Sequence, residues 1–211
     1  MSSPIRIDQV EQALSLPDFD IIAARRQMAP LSRPIRRDPN QPGEARISAV
    51  LILLFCRERE LHLVLTRRRD DLNAHAGQIS FPGGRQDEGE ALAATAVREA
   101  QEEVGVSPAA ITLIGRIDPL YIPPSDFEVH PFVGWYHNGE RPSFTPSESE
   151  VAEVLEVPLR HLLRPETRVV ERWNLRGAEL DVPFYDVYGH KVWGATAIML
   201  SEFLARLRAV S

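Results

Sequence analysis

The chain has 211 residues, of which 44% are hydrophobic, which suits one domain with short extensions and a proper buried core. Its formal net charge is −6, so it has no general electrostatic pull toward nucleic acid or an anionic membrane. An anionic ligand would have to be held by local arginines or by a metal ion, and every basic residue except Lys191 is an arginine.

In chain order, residues 1–45 read as a separate N-terminal piece. Two short helices are predicted over 7–16 and 19–28, followed by a connector punctuated by Pro30, Pro34, Pro39, Pro42 and Gly43. A chain beginning near Gly43 is therefore expected to keep its activity. The main domain spans residues 46–211. Residues 47–56 form an apolar run that predicts a buried strand, with its hairpin partner over 61–67. Cys56, the only cysteine, ends that run, is expected to be a small buried side chain and excludes an intrachain disulfide. Residues 68–89 read as loop, with a short strand near 78–81. A helix is predicted over 90–104 and is stopped by Gly105. Further strands are expected over 111–117, 129–136, 151–157, 168–173 and 182–187, and an amphipathic helix over 196–210. Strands on both sides of a central helix, with a terminal helix, predict an α/β sandwich with a mixed sheet. The first residues carry no charged segment followed by an apolar one, and no apolar stretch reaches the ~20 residues needed to cross a bilayer. A cytoplasmic location, with no membrane partner, is expected.

The central helix carries the chemistry. At about 100° per residue, Ala93, Val97, Ala100 and Val104 form one stripe that is expected to face the sheet. Glu99, Glu102 and Glu103 are expected together on roughly the opposite face, at the i, i+3 and i+4 spacing that makes helix side chains neighbours. Spacing alone leaves two readings open, a solvated acidic face and an oxygen-ligand site for a hard divalent cation. Gly83 and Gly84 before the helix favour the second, because glycine lets backbone pass close to a ligand.

Residues 84–106 resemble the Nudix box, G-x5-E-x7-R-E-U-x-E-E-x-G-U with U a bulky aliphatic residue. Gly84, Glu90, Arg98, Glu99, Glu102, Glu103 and Gly105 meet every fixed position, and Val106 meets the last U. Ala100 is smaller than the usual first U. The resemblance implies a Nudix-type α/β/α sandwich with a mixed β-sheet and metal-dependent hydrolysis of a diphosphate linkage. It implies that Glu99 and Glu103 are the main ligands to Mg²⁺ or Mn²⁺, and that Glu102 binds a further ion or holds water. It gives Arg98 the role of orienting the carboxylates, and Glu90 that of bracing the loop–helix junction through an ion pair.

A second resemblance narrows the substrate. Leu65, Thr66, Arg68, Leu72, Gly77 and Phe81 through Gly84 match the signature of the CoA-pyrophosphatase branch of Nudix proteins, roughly L-L-T-x-R-[SA]-x-x-L-R-x3-G-x3-F-P-G-G. Val64 replaces the first leucine. Arg69 stands where a small residue is expected, and Asn73 where an arginine is expected. That branch cleaves CoA or acyl-CoA into (acyl-)4′-phosphopantetheine and adenosine 3′,5′-bisphosphate. The alternatives are a Nudix hydrolase of ADP-ribose, a nucleotide sugar or a nucleoside triphosphate, and a non-catalytic nucleotide-binding module. Candidate substrate contacts are Arg67, Arg68, Arg69, His75, Gly83 and Gly84. Strand alternation would point Arg67 and Arg69 one way and Arg68 the other. Trp193 is expected in the core, and Phe81 is expected to pack the glycine loop. The general base is a box glutamate or one of Glu148, Glu150 and Glu153, and Glu150 is preferred because it precedes a strand. No basic stripe or aromatic-rich strand suggests nucleic acid as a partner, and a homodimer is left open.

Overall fold

The computed structural model describes residues 4–29, 43–71, 77–139, 141–175 and 177–210. Strand β1 (Arg46–Arg57) and strand β2 (Glu60–Arg68) form the expected antiparallel hairpin. It turns through Glu58 and Arg59 at φ 52° and 64°. Parallel to β1 along most of its length lies β7 (Phe127–Tyr136). At its first residues β1 also pairs antiparallel with β4 (Gly83–Arg85), so the sheet is mixed. On the far side of β7 sit β5 (Ile111–Arg116) and β6 (Leu120–Ile122), and β2 takes β3 (Ile79–Ser80) and β8 (Val151–Pro158).

β1 is an almost unbroken apolar run because both faces of the sheet are covered. Ala49, Leu51, Leu53 and Phe55 pack with helix α3 (Leu92–Val104). Ile52 and Leu54 join a second cluster with helix α5 (Gly194–Arg208). The same alternation runs along β2. Leu61, Leu63 and Leu65 belong to the α5 side and Val64 to the α3 side. It continues into the polar end, where Thr66 and Arg68 share the face of Val64 and Arg67 faces the other way.

The expected strands over 168–173 and 182–187 form a separate antiparallel sheet, built from β9 (Arg168–Leu175), β10 (Ala178–Val187) and β11 (His190–Val192). The three-residue strands β4, β6 and β11 and the short helix α4 (Leu159–Leu162) lie where no element was predicted. Pairing supplies what so short a segment cannot encode. Cys56 lies at the end of β1 and is only partly buried, a correction to the expected core position.

The N-terminal helices α1 (Ile7–Leu14) and α2 (Ile21–Arg26) are not set apart from the rest. Val10, Ala13 and Met28 enter the same core as α5. Buried Arg25 gives Nε to the fully buried Glu202 of α5 at 2.7 Å, and its other nitrogens bond the carbonyls of Asp118 and Pro119. Arg206 completes the network, reaching Glu202 and Asp118 at 3.1 Å each. Among the described residues no helix is long and apolar enough to cross a membrane.

Candidate active site

Helix α3 begins at Leu92, two residues later than predicted, and ends where Gly105 adopts the left-handed conformation, φ 75°. Its buried stripe is Ala96, Ala100 and Val104, rotated from the expected one, since Ala93 and Val97 are only partly buried. The rotation changes the glutamates. At about 100° per residue Glu103 lies only about 60° from Ala100, so it points into the sheet rather than away from it. Glu103 is 4% exposed, whereas Glu102 is exposed and Glu99 lies between the two. The three do not share one face opposite the core, which corrects the sequence reading.

Each carboxylate is held differently. Arg98 bonds Glu90 with Nε at 2.9 Å and Glu99 and Glu102 with one nitrogen at 2.8 and 3.1 Å. Its remaining nitrogen reaches Glu90 and the carbonyl of Arg85. Glu90 also accepts from Thr95 at 2.7 Å. The Arg98 and Thr95 hydrogen bonds hold the Glu90 carboxyl down at about 2. Gly84 makes room for Glu99: a Cβ on Gly84 would fall 2.5 Å from the Glu99 carboxylate. A Cβ on Gly83 would fall 2.5 Å from the Ala49 carbonyl, so the β1–β4 pairing needs glycine there.

Glu103 accepts a bond from Thr66 at 3.3 Å and has Arg68 at 4.0 Å. Burial outweighs both and pushes its carboxyl up to about 7, with Glu150 and Glu99 adding repulsion. Burial likewise raises Glu99, against the pull of Arg98. Thr66 stands two residues before Arg68 on the same strand face, so alternation along β2 was the signal that could have found it.

Glu150 reaches this place through a loop fastened to α3. Thr145 N–H bonds the carbonyl of Val104 and Ser147 N–H that of Glu103, both at 2.9 Å. Arg69 holds the other side of the loop: its N–H bonds the Glu150 carbonyl at 3.0 Å and its guanidinium the Glu148 carbonyl at 2.7 Å. Glu150 then stands 3.6 Å from Arg68 and repels Glu99 and Glu103. Glu148 and Glu153 do not join it. Glu153 lies on the other side of the sheet edge, near Arg67 at 3.7 Å and His190 at 3.4 Å.

The three consecutive arginines therefore part company. Arg68 faces the carboxylates, and Arg69 pairs with Asp71 and the Glu148 carbonyl. Arg67 pairs with Asp70 at 2.9 Å and lines a cleft of about 540 Å³. Trp173, Trp193, His190, Lys191 and Glu153 line it too, and the two tryptophans meet edge to face at 5.4 Å. Trp193 is thus a cleft wall and not a core residue, contrary to expectation. Phe81 is fully buried in the core beside the glycine strand. His75 and Asn73 lie outside the described residues.

Glu99, Glu103 and Glu150 fit a hard divalent cation chemically. They are oxygen donors, two of them are partly or wholly buried, and their mutual repulsion leaves negative charge uncompensated. Among the described residues no three acidic, histidine or cysteine side chains are yet gathered closely enough to hold an ion between them.

A mixed sheet flanked by helices is the fold of the Nudix proteins, hydrolases of phosphorus anhydrides that generally use divalent metal ions. The chain belongs to this family: the NUDIX domain profile matches residues 45–175. It is 35% identical over 201 residues to the Nudix hydrolase NudL of Pectobacterium atrosepticum, covering 92% of this chain and 96% of that one. NudL of Photorhabdus laumondii is 34% identical over 164 residues, 77% of this chain and 86% of that one. Among solved structures, the Nudix hydrolase RenU of M. smegmatis superposes with a TM-score of 0.53 at 16% identity, covering 80% of this chain and 86% of that one, a likeness of fold alone.

Proposed function

We propose that this Nudix hydrolase cleaves the diphosphate linkage of CoA or acyl-CoA with Mg²⁺ or Mn²⁺, releasing (acyl-)4′-phosphopantetheine and adenosine 3′,5′-bisphosphate. The observation that carries the hydrolytic reading is the pair of mutually repelling carboxylates, half-buried Glu99 set against the backbone of Gly84 and buried Glu103, faced by Glu150 and Arg68. The substrate follows from the residues matching the CoA-pyrophosphatase signature, of which Thr66 contacts Glu103, Arg68 faces the carboxylates and Gly84 makes room for Glu99.

Glu99 and Glu103 would hold the ion, with Glu102 assisting from the exposed side. Bound there, the cation would offset the diphosphate charge and lower the pKa of attacking water. Arg98 keeps Glu99 aimed, because the same guanidinium is anchored on Glu90. Glu150 is half-exposed and can take a proton from water, the role of general base. Arg68 would draw a phosphate oxygen. Arg69 serves as a clamp on the Glu148–Glu150 loop, which gives the departure from the signature a purpose. Gly83 and Gly84 let the substrate approach backbone, and Arg67 places a cation in the tryptophan-walled cleft, where the group beyond the diphosphate would rest.

The departures at Arg69 and Asn73 keep a second reading, hydrolysis of ADP-ribose or another nucleoside diphosphate derivative. Incubation with Mg²⁺ or Mn²⁺ and a panel of CoA, acyl-CoA, dephospho-CoA, ADP-ribose, nucleotide sugars and nucleoside triphosphates, with products identified by mass, separates the two. The CoA reading expects adenosine 3′,5′-bisphosphate as the fastest-formed product, and faster release of AMP from ADP-ribose replaces it with the second reading.

A further inference from the structure

The two arginines beside the carboxylates are held with unequal firmness. Arg98 is tied by hydrogen bonds of 2.8–3.2 Å to Glu90, Glu99, Glu102 and the Arg85 carbonyl. Arg68 has no such anchorage on the carboxylates it faces. A single terminal nitrogen stands 3.6 Å from Glu150 and 4.0 Å from Glu103, within ion-pair range but beyond a hydrogen bond. Its Nε is buried without a protein partner, the one such side-chain atom among the described residues. Opposite it, the pairing of β2 with β8 skips Ala152, so the irregularity lies in β8 and β2 keeps Arg68 on the face of Thr66. Arg68 is therefore a cation drawn to the acidic site by charge alone, with donors to spare.

We propose that Arg68 is a displaceable counter-ion: in the metal-free chain it offsets Glu103 and Glu150, and a divalent cation taken up by the carboxylates releases it toward the phosphate oxygens of the substrate. The inference rests on the metal-dependent reading above. One nitrogen is shared by two carboxylates without bonding either, so little directional bonding is lost when the guanidinium turns away. Once the side chain turns, the guanidinium donors that bond neither carboxylate, with Nε now unpartnered, form the fork that a phosphate accepts. A cation at Arg68 and a dication at Glu103 repel each other, so the arginine and the metal compete for the same carboxylates. An arginine that served only as a fixed substrate ligand, or only as packing, would not compete.

Calorimetric titration of Mn²⁺ without substrate tests this in the wild type and in Arg68→Gln. The variant should bind Mn²⁺ at least tenfold more tightly. Equal or weaker binding by the variant, with the wild type still binding, overturns the counter-ion role and leaves the metal-dependent reading standing. A wild type that binds no Mn²⁺ overturns both. A second measurement needs no variant: phenylglyoxal modification of the wild type, read by peptide mass. Mn²⁺ should speed modification at Arg68 and leave Arg98 unchanged, and an Arg68 rate that is unaltered or slowed by the metal overturns the proposal.

Discussion

Two arginine–carboxylate networks sit in this molecule, and they are built on opposite principles. Between α2 and α5, Arg25 and Arg206 face Glu202 and Asp118, two charges against two, with hydrogen bonds throughout and Glu202 fully buried. Around α3, among the described residues, Arg98 and Arg68 face Asp87, Glu90, Glu99, Glu102, Glu103 and Glu150, two charges against six. The first network is complete in itself and joins two helices. The second carries surplus negative charge, and burial and mutual repulsion raise Glu99 and Glu103 as a consequence. The balanced network joins two helices, and the unbalanced one is the candidate site.

The contrast is most easily broken at the joint. Glu202→Ala leaves Arg25 and Arg206 buried without their shared partner and should cost about 3–5 kcal/mol of stability, measured by denaturant unfolding, while turnover per folded molecule stays near wild type. A chain beginning at Gly43 loses Arg25 together with Val10, Ala13 and Met28, and should be destabilised in the same way while keeping measurable hydrolysis. Loss of all hydrolysis in a folded truncated chain would tie the N-terminal helices to the pocket itself.

At the unbalanced network the forecast reverses. Glu99→Gln and Glu103→Gln should each lower kcat by at least ~100-fold, since charge stabilisation by a metal is worth several kcal/mol. Melting in chelator should not fall, because each change removes a repelled charge. Near-normal turnover in either folded variant removes that glutamate from the site.

A smaller effect probes the cleft. If Arg67 holds the 3′-phosphate of CoA, kcat/KM for CoA should exceed that for dephospho-CoA by roughly ten- to a hundredfold, the worth of a charge-assisted contact of about 1.5–3 kcal/mol. Arg67→Ala should erase most of that ratio, and equal use of both substrates by the wild type rejects the assignment.

The gentlest test is by pH. Glu90 is held at about 2 in the folded chain, below its usual value of about 4.3. Its contribution to stability is therefore complete above that usual value and fades as pH falls toward 2. Relative to Glu90→Gln, the wild type should lose its melting-temperature advantage over that interval, and a constant difference would show that the ion pair with Arg98 does not stabilise the fold.

Much of this was legible in the residues. The apolar run of β1 announced a strand covered on both faces, Gly105 marked the end of α3, and the spacing of Glu99, Glu102 and Glu103 marked the acidic helix. Less legible was the rotation of that helix. Ala93 and Val97 are as apolar as Ala96 and Ala100, so composition could not fix which alanines meet the sheet, and the burial of Glu103 depends on that choice. Glu150 was preferred among the loop glutamates from its place before a strand, but the route of its approach was not legible, because backbone bonds from Thr145 and Ser147 create it and any residue but proline can make those. The cleft joins Arg67 to Trp173 and Trp193 across two sheets, a contact of sequence-distant residues that no local pattern encodes.

The joint between α2 and α5 also has a consequence in time. Arg25 and Glu202 are 177 residues apart. At about 5–20 residues per second a ribosome takes roughly 10–35 s to pass from one to the other. Throughout that interval Arg25 has no Glu202 to meet, and the face of β1 and β2 bearing Ile52, Leu54, Leu63 and Leu65 waits for the helix that will cover it. The opposite face, by contrast, receives α3 only a few dozen residues after β1. Nascent chains should therefore assemble the α3 side first and travel for some seconds with an open greasy flank, a span in which a chaperone that shields apolar sheet would have the most to protect.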